Sequence, residues 1–142
     1  MRVPPAYAGG TLRMHLRKLD DLEPFPTLDG STIREIAGVG QSGSAPARQQ
    51  SLAEATVPVG GTTIAHYHRT TEELYFFTAG RGRMTLGDDE RDVTSGDCVV
   101  IPPGAVHRLV NTGDEPLVLL CCCAPAYSHE DTVLVGDHPA SG

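Results

Sequence analysis

Residues 60–80 read GGTTIAHYHRTTEELYFFTAG, and residues 96–111 read GDCVVIPPGAVHRLVN. In an extended strand, side chains at i and i+2 share a face, so the imidazoles of His66 and His68 converge on one point. The polar run 69–72 suits a turn that folds Glu73, at the start of the next strand, back beside the pair. His107 follows a Pro102-Pro-Gly104 turn. Three imidazoles and one carboxylate form a borderline-to-hard donor set suited to Fe, Mn, Ni, Co, Cu or Zn.

Outward from these two stretches, the chain is punctuated by 16 Gly and 11 Pro that separate short β-rich runs. Candidate strands are Ser31–Ile36, Gln49–Val57, Thr62–His68, Glu73–Thr78, Met84–Leu86, Arg91–Val93, Cys98–Ile101, Val106–Val110, Leu117–Cys123 and Thr132–Val135. Many short strands with turn signals between them imply an all-β sandwich or closed barrel. The stretch around Leu12, Leu16, Leu19 and Leu22 fits either one short helix or an edge strand, and Pro24-Phe-Pro26 ends it. Gly38–Pro46, rich in Gly and Ser, reads as a mobile loop. Residues 1–30 then form an N-terminal arm, 31–136 the barrel and 137–142 a tail, with no internal duplication.

The two stretches resemble the paired sequence motifs of the cupins. The first matches at Gly60, His66, His68, Glu73 and Gly80; the second matches at Gly96, Pro102, Gly104, His107 and Asn111. Motifs and gap cover Gly60–Asn111. The resemblance implies a single double-stranded β-helix (jelly-roll) barrel holding one divalent ion (Fe, Zn, Ni or Mn) through His66, His68, Glu73 and His107. It implies that the glycines serve turns and close packing, that Gly104 sits where a Cβ is disfavoured, and that Pro102 sets the approach to His107. Asn111 reads as a turn former.

By alternation, Thr62 and Ile64 share the face of His66 and His68, Glu73 brings Tyr75 and Phe77 inward, and His107 brings Leu109. Tyr75 is a candidate to orient a substrate or donate a proton, against a reading as core packing. Gln49–Val57 places Gln50 and Glu54 on one face and Ser51, Ala53 and Ala55 on the other, and the sequence leaves open which face points in. Arg34, Gln50 and Glu54 are candidates for substrate contact or acid–base work if their faces point inward; a solvated outer face is the alternative. Arg83 suits a substrate carboxylate or open solvent. His129, in the run 127–131, belongs to a lid over the barrel mouth or to a surface turn held by Ser128 or Asp131.

The formal charge of -7 makes nucleic acid and anionic membranes poor partners. No run of about 18 apolar residues spans a membrane, and residues 1–19 lack the apolar core of a secretory signal. Cys98 and the consecutive Cys121, Cys122 and Cys123 make a poor disulfide framework and read as soft core residues of a cytoplasmic protein. Residues 1–19 hold Arg2, Arg13, Arg17 and Lys18 and no acid, which fits a homodimer in which this arm meets an acidic neighbour.

The known members span many chemistries, so the fold does not fix the reaction; the reading that stands first is a metal-dependent enzyme acting on a small organic, biosynthetic molecule. Two reactions stand first: cyclisation or isomerisation at a Lewis-acidic metal, as in the polyketide-cyclase-like members, and oxygenation at iron. A non-catalytic binding or sensor protein, and a component of a nitrogen-joining enzyme, are the alternatives.

Overall fold

The computed structural model describes residues 1–7, 9–10, 12–40 and 43–136; residues 8, 11, 41 and 42 and the expected tail 137–142, with His138, lie outside the described residues. The strands are β1 (Phe25–Pro26), β2 (Thr32–Gly38), β3 (Ala45–Pro46), β4 (Ser51–Val57), β5 (His66–His68), β6 (Glu72–Ala79), β7 (Arg81–Leu86), β8 (Asp89–Thr94), β9 (Cys98–Ile101), β10 (His107–Asn111), β11 (Leu117–Ala124) and β12 (Thr132–Leu134). One sheet runs β1-β2-β4-β11-β6-β9, with β3 pairing β2, and the other runs β12-β5-β10-β7-β8. The pairing is antiparallel except for β2 with β3. No helix among the described residues is long and apolar enough to cross a membrane.

Strand alternation sets the interior. In β6, Glu73, Tyr75 and Phe77 are buried while Glu72, Leu74 and Phe76 face out. In β10, His107, Leu109 and Asn111 point in. In β11, Leu117, Leu119 and Cys123 are buried, with Cys121 partly so on the same face. Read along these strands, the interior is graded. Val57, Phe77, Leu117 and Leu119 fill one end with apolar volume, and the opposite end holds His66, His68, Glu73, His107 and Cys123. On β4 the inward residues shrink from Val57 through Ala55 and Ala53 to Ser51. Small side chains opposite the polar end leave space that a Leu or Ile would close.

Several expectations change. The strand expected over Thr62–His68 is regular only at His66–His68; Thr62 makes one isolated bridge to Val110. The buried residue there is Thr63, whose hydroxyl accepts the Leu109 amide, while Thr62 and Ile64 are only half-buried. Helix or edge strand in the arm reduces to a single 3-10 turn at Leu19–Asp21. Pairing starts at Phe25, inside the stretch read as an arm, because Phe25 and Pro26 lie antiparallel to Ile33 and Thr32. Cys98–Ile101, apolar throughout, buries only Ile101 fully because β9 is a sheet edge.

The inward face of β4 is Ser51, Ala53 and Ala55, so Gln50 is exposed and Glu54 lies on the outer face. Arg34 stands opposite Glu54 in the β2–β4 register, and its guanidinium donates to Glu54 Oε1 at 2.6 Å. It also donates to the Leu19 carbonyl at 3.2 Å, pinning the 3-10 turn to the sheet. The charged pair in these strands therefore serves cross-strand pairing. Arg34, Gln50 and Glu54 are thus corrected as catalytic candidates: they are turned away from the histidines. Arg83 likewise meets Glu90 and Asp92 on an exposed surface.

Candidate metal centre

β5 and β10 place the histidines. His66 and His107 are register partners across these strands, and His68 lies one alternation further on the same face. One ligand atom from each of the three lies within 4.8 Å of the others, and all three residues are buried. The Pro102–Ala105 turn fixes the His107 approach. Gly104, at φ +81°, lets its amide reach the His68 carbonyl at 2.7 Å, which ties the turn to β5.

The outer ring nitrogens set the tautomers. His66 Nδ1 donates to the Ile64 carbonyl at 2.7 Å, and His107 Nδ1 donates to the Ala105 carbonyl at 2.9 Å. His68 Nδ1 meets Thr132 Oγ1 at 3.1 Å; that hydroxyl spends its own proton on the Ser128 carbonyl, so it accepts from the imidazole. With each Nδ1 donating, all three Nε2 atoms turn to the common centre, where each can give a lone pair to a cation or, with no cation bound, a proton to a carboxylate.

Glu73 completes the arrangement. Its Oε1 lies 3.1 Å from His68 Nε2 and 3.6 Å from His107 Nε2. Its Oε2 accepts the Cys123 thiol at 3.2 Å. Burial alone would raise the Glu73 carboxyl, but the imidazoles of His107 and His68 outweigh it and hold it at about 2. Burial, then the neighbouring His107, push His66 below its usual value, with Asp29 acting the other way. His107 Nε2 is buried with no hydrogen-bond partner. Lone pairs and a carboxylate oxygen converging out of water need a shared cation, and a partnerless buried Nε2 is the signature of a donor awaiting one. The residues present therefore fit a divalent ion.

The cavity here, about 50 Å3, has room for an ion and a few water-sized groups. Tyr75 lines it, its ring edge-on to His107 with centroids 5.8 Å apart. Burial, then the charge of Glu73, push the Tyr75 hydroxyl well above its usual value, so it stays a proton donor. Burial does the same to Cys121 and Cys123, which keeps both thiols protonated and unreactive.

Three wall residues were not singled out from sequence. Asp29, in the turn between β1 and β2, has Oδ2 3.7 Å from His66 Nε2. Glu35 lies inward on β2, where Arg34 had drawn attention. Tyr127 covers the mouth: its amide donates to Ser51 Oγ, its ring lies 5.9 Å from that of His68, and burial pushes its hydroxyl up to about 12. The run 127–131 is thus both surface turn and cover. The Asp131 carboxylate accepts the amides of Thr70 and Thr71, holding the cover to the β5–β6 turn, and His129 touches the Tyr127 hydroxyl outside. The run was read from sequence as lid or surface turn, but it is the β12–β5 pairing and these hydrogen bonds that bring it near the histidines. Asn111 ties the far end, donating to the Val57 and Glu115 carbonyls and accepting the Gly113 amide.

Known proteins similar to this chain support this frame. An uncharacterized protein of Methanocaldococcus jannaschii is 43% identical over 125 residues, 88% of this chain and 98% of the relative. A glucose-6-phosphate isomerase of Thermococcus litoralis is 33% identical over 75 residues, 48% of this chain and 40% of the isomerase. Among solved structures, the Lactobacillus farciminis oxalate decarboxylase formate complex superposes with a TM-score of 0.66 at 28% identity, covering 82% of this chain and 34% of that one. A family model described as the cupin domain matches residues 53–123. The chain, with its two facing sheets and its histidine cluster, belongs to the cupin family.

Proposed function

We propose that this protein is a metal-dependent cupin enzyme that binds one divalent ion through His66, His68, Glu73 and His107 and acts as a Lewis acid on a small organic molecule. The observation that carries the reading is the inward set of Nε2 lone pairs, with His107 Nε2 buried and partnerless beside Glu73. A bound ion would polarise a substrate oxygen. The chain's own residues supply the rest. Tyr75, held protonated, lines the cavity, and Tyr127 stands at its wall with the hydroxyl turned to His129. Ile33 and Ala53 give the apolar wall that excludes water, and Cys123 fixes the Glu73 carboxylate. Likeness to an isomerase supports rearrangement over oxygenation.

The test is a metabolite-mixture screen with metal-loaded protein under anaerobic conditions, read by mass spectrometry. The expected result is a product isomeric with its precursor, or lighter by water, formed by wild type and absent with His107→Ala. Conversion that requires oxygen moves the reading to oxygenation. Retention of a ligand without conversion supports a binding or sensor protein.

A further inference from the structure

We propose that Asp29 sets the charge of the ligand this cavity accepts: it bars anions and receives a hydrogen bond from a hydroxyl or ammonium group of a neutral or cationic small molecule. The inference rests on the metal-centre reading above and adds the ligand's chemical class.

Asp29 is built into its position from both backbone and side chain. Its carbonyl accepts the Ile64 amide at 2.7 Å, two residues before His66. Its Oδ1 takes the Ser31 amide at 3.0 Å, the Ser31 hydroxyl at 2.7 Å and the Thr27 hydroxyl. One oxygen is thus saturated. The other, Oδ2, has no donor among the described residues and faces His66 Nε2 at 3.7 Å. Glu73 flanks the cluster at His68 and His107, whereas Asp29 flanks it at His66. A carboxylate oxygen held beside the ion, with its lone pairs unspent, is placed to accept from a bound ligand.

The rest of the wall agrees in sign. Asp29, Glu35 and Glu73 line the cavity, and no Lys or Arg does. None of the residues outside the described set is Lys or Arg either. Arg34, the cation nearest to Asp29 in sequence, is turned outward and paired with Glu54. Three carboxylates around a dication leave a net negative wall in a partly dry site, where charge acts strongly. A phosphate or carboxylate ligand would meet this wall with no guanidinium or ammonium to hold it. Buried His107, its ring centroid 4.2 Å from that of the lining His66, turns a partnerless Nε2 toward this wall. Its volume of about 50 Å3 limits the part of the ligand that enters to a few heavy atoms.

The experiment uses the full chain, wild type and Asp29→Asn, each loaded with Mn2+ and first checked for one ion per chain. Acetate and 2-aminoethanol, similar in size and opposite in charge, are titrated in, and binding is read from the water-proton relaxation of the bound Mn2+. The expected result is that wild type favours 2-aminoethanol at least fivefold. Asp29→Asn should lose that preference and bind acetate at least fivefold more tightly, with Mn2+ affinity changed less than threefold. Wild type favouring acetate, or an identical preference in both proteins, overturns the proposal. A large loss of Mn2+ by Asp29→Asn also overturns it, since the carboxylate would then be a metal donor. Wild type that holds no Mn2+ at all contradicts the underlying metal-centre reading at the first step.

Discussion

Thr132 Oγ1 holds the His68 tautomer, because its own proton goes to the Ser128 carbonyl and leaves a lone pair for His68 Nδ1. Thr132→Val keeps the volume and removes that acceptor. The expected outcome is metal affinity weakened about 10- to 100-fold, as for other partners of metal-binding histidines, measured by competition with a chromophoric chelator. Glu73 offers a second check at this scale. Its carboxyl is held at about 2, below its ordinary 4.5, so its ionised form contributes stability that is full above about pH 4.5. That contribution is lost as pH falls through about 2. Glu73→Gln in the metal-free protein should lack this acid limb in denaturant titrations between pH 5 and 2. The grouping of His66, His68 and Glu73 was legible from their short spacing, and His107 joined them through the resemblance of the second motif to the cupin pattern. The grouping of Asp29, Tyr127 and Thr132 with them was not, since a turn and a strand far away in sequence place those. Alternation told that Gln50 shares a face with Glu54; only the β2–β4–β11 pairing shows that Ser51, Ala53 and Ala55 are the inward set.

Elements depend on two kinds of fastening, turns and cross-links. Gly80 ends β6 at φ +80°, and a Cβ there would lie 2.5 Å from the Pro116 carbonyl oxygen. Gly80→Ala therefore combines backbone strain with a clash against main chain and should cost about 2–4 kcal/mol, read from urea unfolding. Asp131 fastens the cover by accepting the Thr70 and Thr71 amides. Asp131→Ala should cost about 1 kcal/mol, as the loss of a hydrogen-bonding side chain does. It should also speed amide exchange at Thr70 and Thr71. Strands with clear alternation, such as β4 and β6, were readable from sequence nearly to their ends. The two-residue pairings β1 and β3 were not, since two residues carry no period. The run Thr62–His68 misled because its apparent alternation of Thr and Ile continues into the histidines, while the chain is regular only from His66.

At the scale of the whole molecule, the described residues before Leu19 leave apolar side chains uncovered. Leu12, Met14 and Leu16 are exposed, and residues 1–19 carry four basic residues and no acid against 7 basic and 18 acidic in the rest. Apolar side chains left uncovered within one chain, on a basic segment facing an acidic body, favour self-association. Light scattering at micromolar concentration should give a dimer, and deleting residues 1–19 should shift it to monomer. An unchanged mass would remove the arm from this role. The fold class was legible because turn residues and short strands recur along the chain. The grading of the interior from Phe77 and Leu117 to His107 and Glu73 emerges only when both sheets are assembled.

Protein purified anaerobically, without chelator or an affinity metal, and assayed by plasma mass spectrometry addresses the central claim most directly. One divalent ion per chain is expected, falling to near zero in His107→Ala and His66→Ala. Wild type that holds no ion even after reconstitution, or a His107→Ala protein with undiminished content, would contradict it.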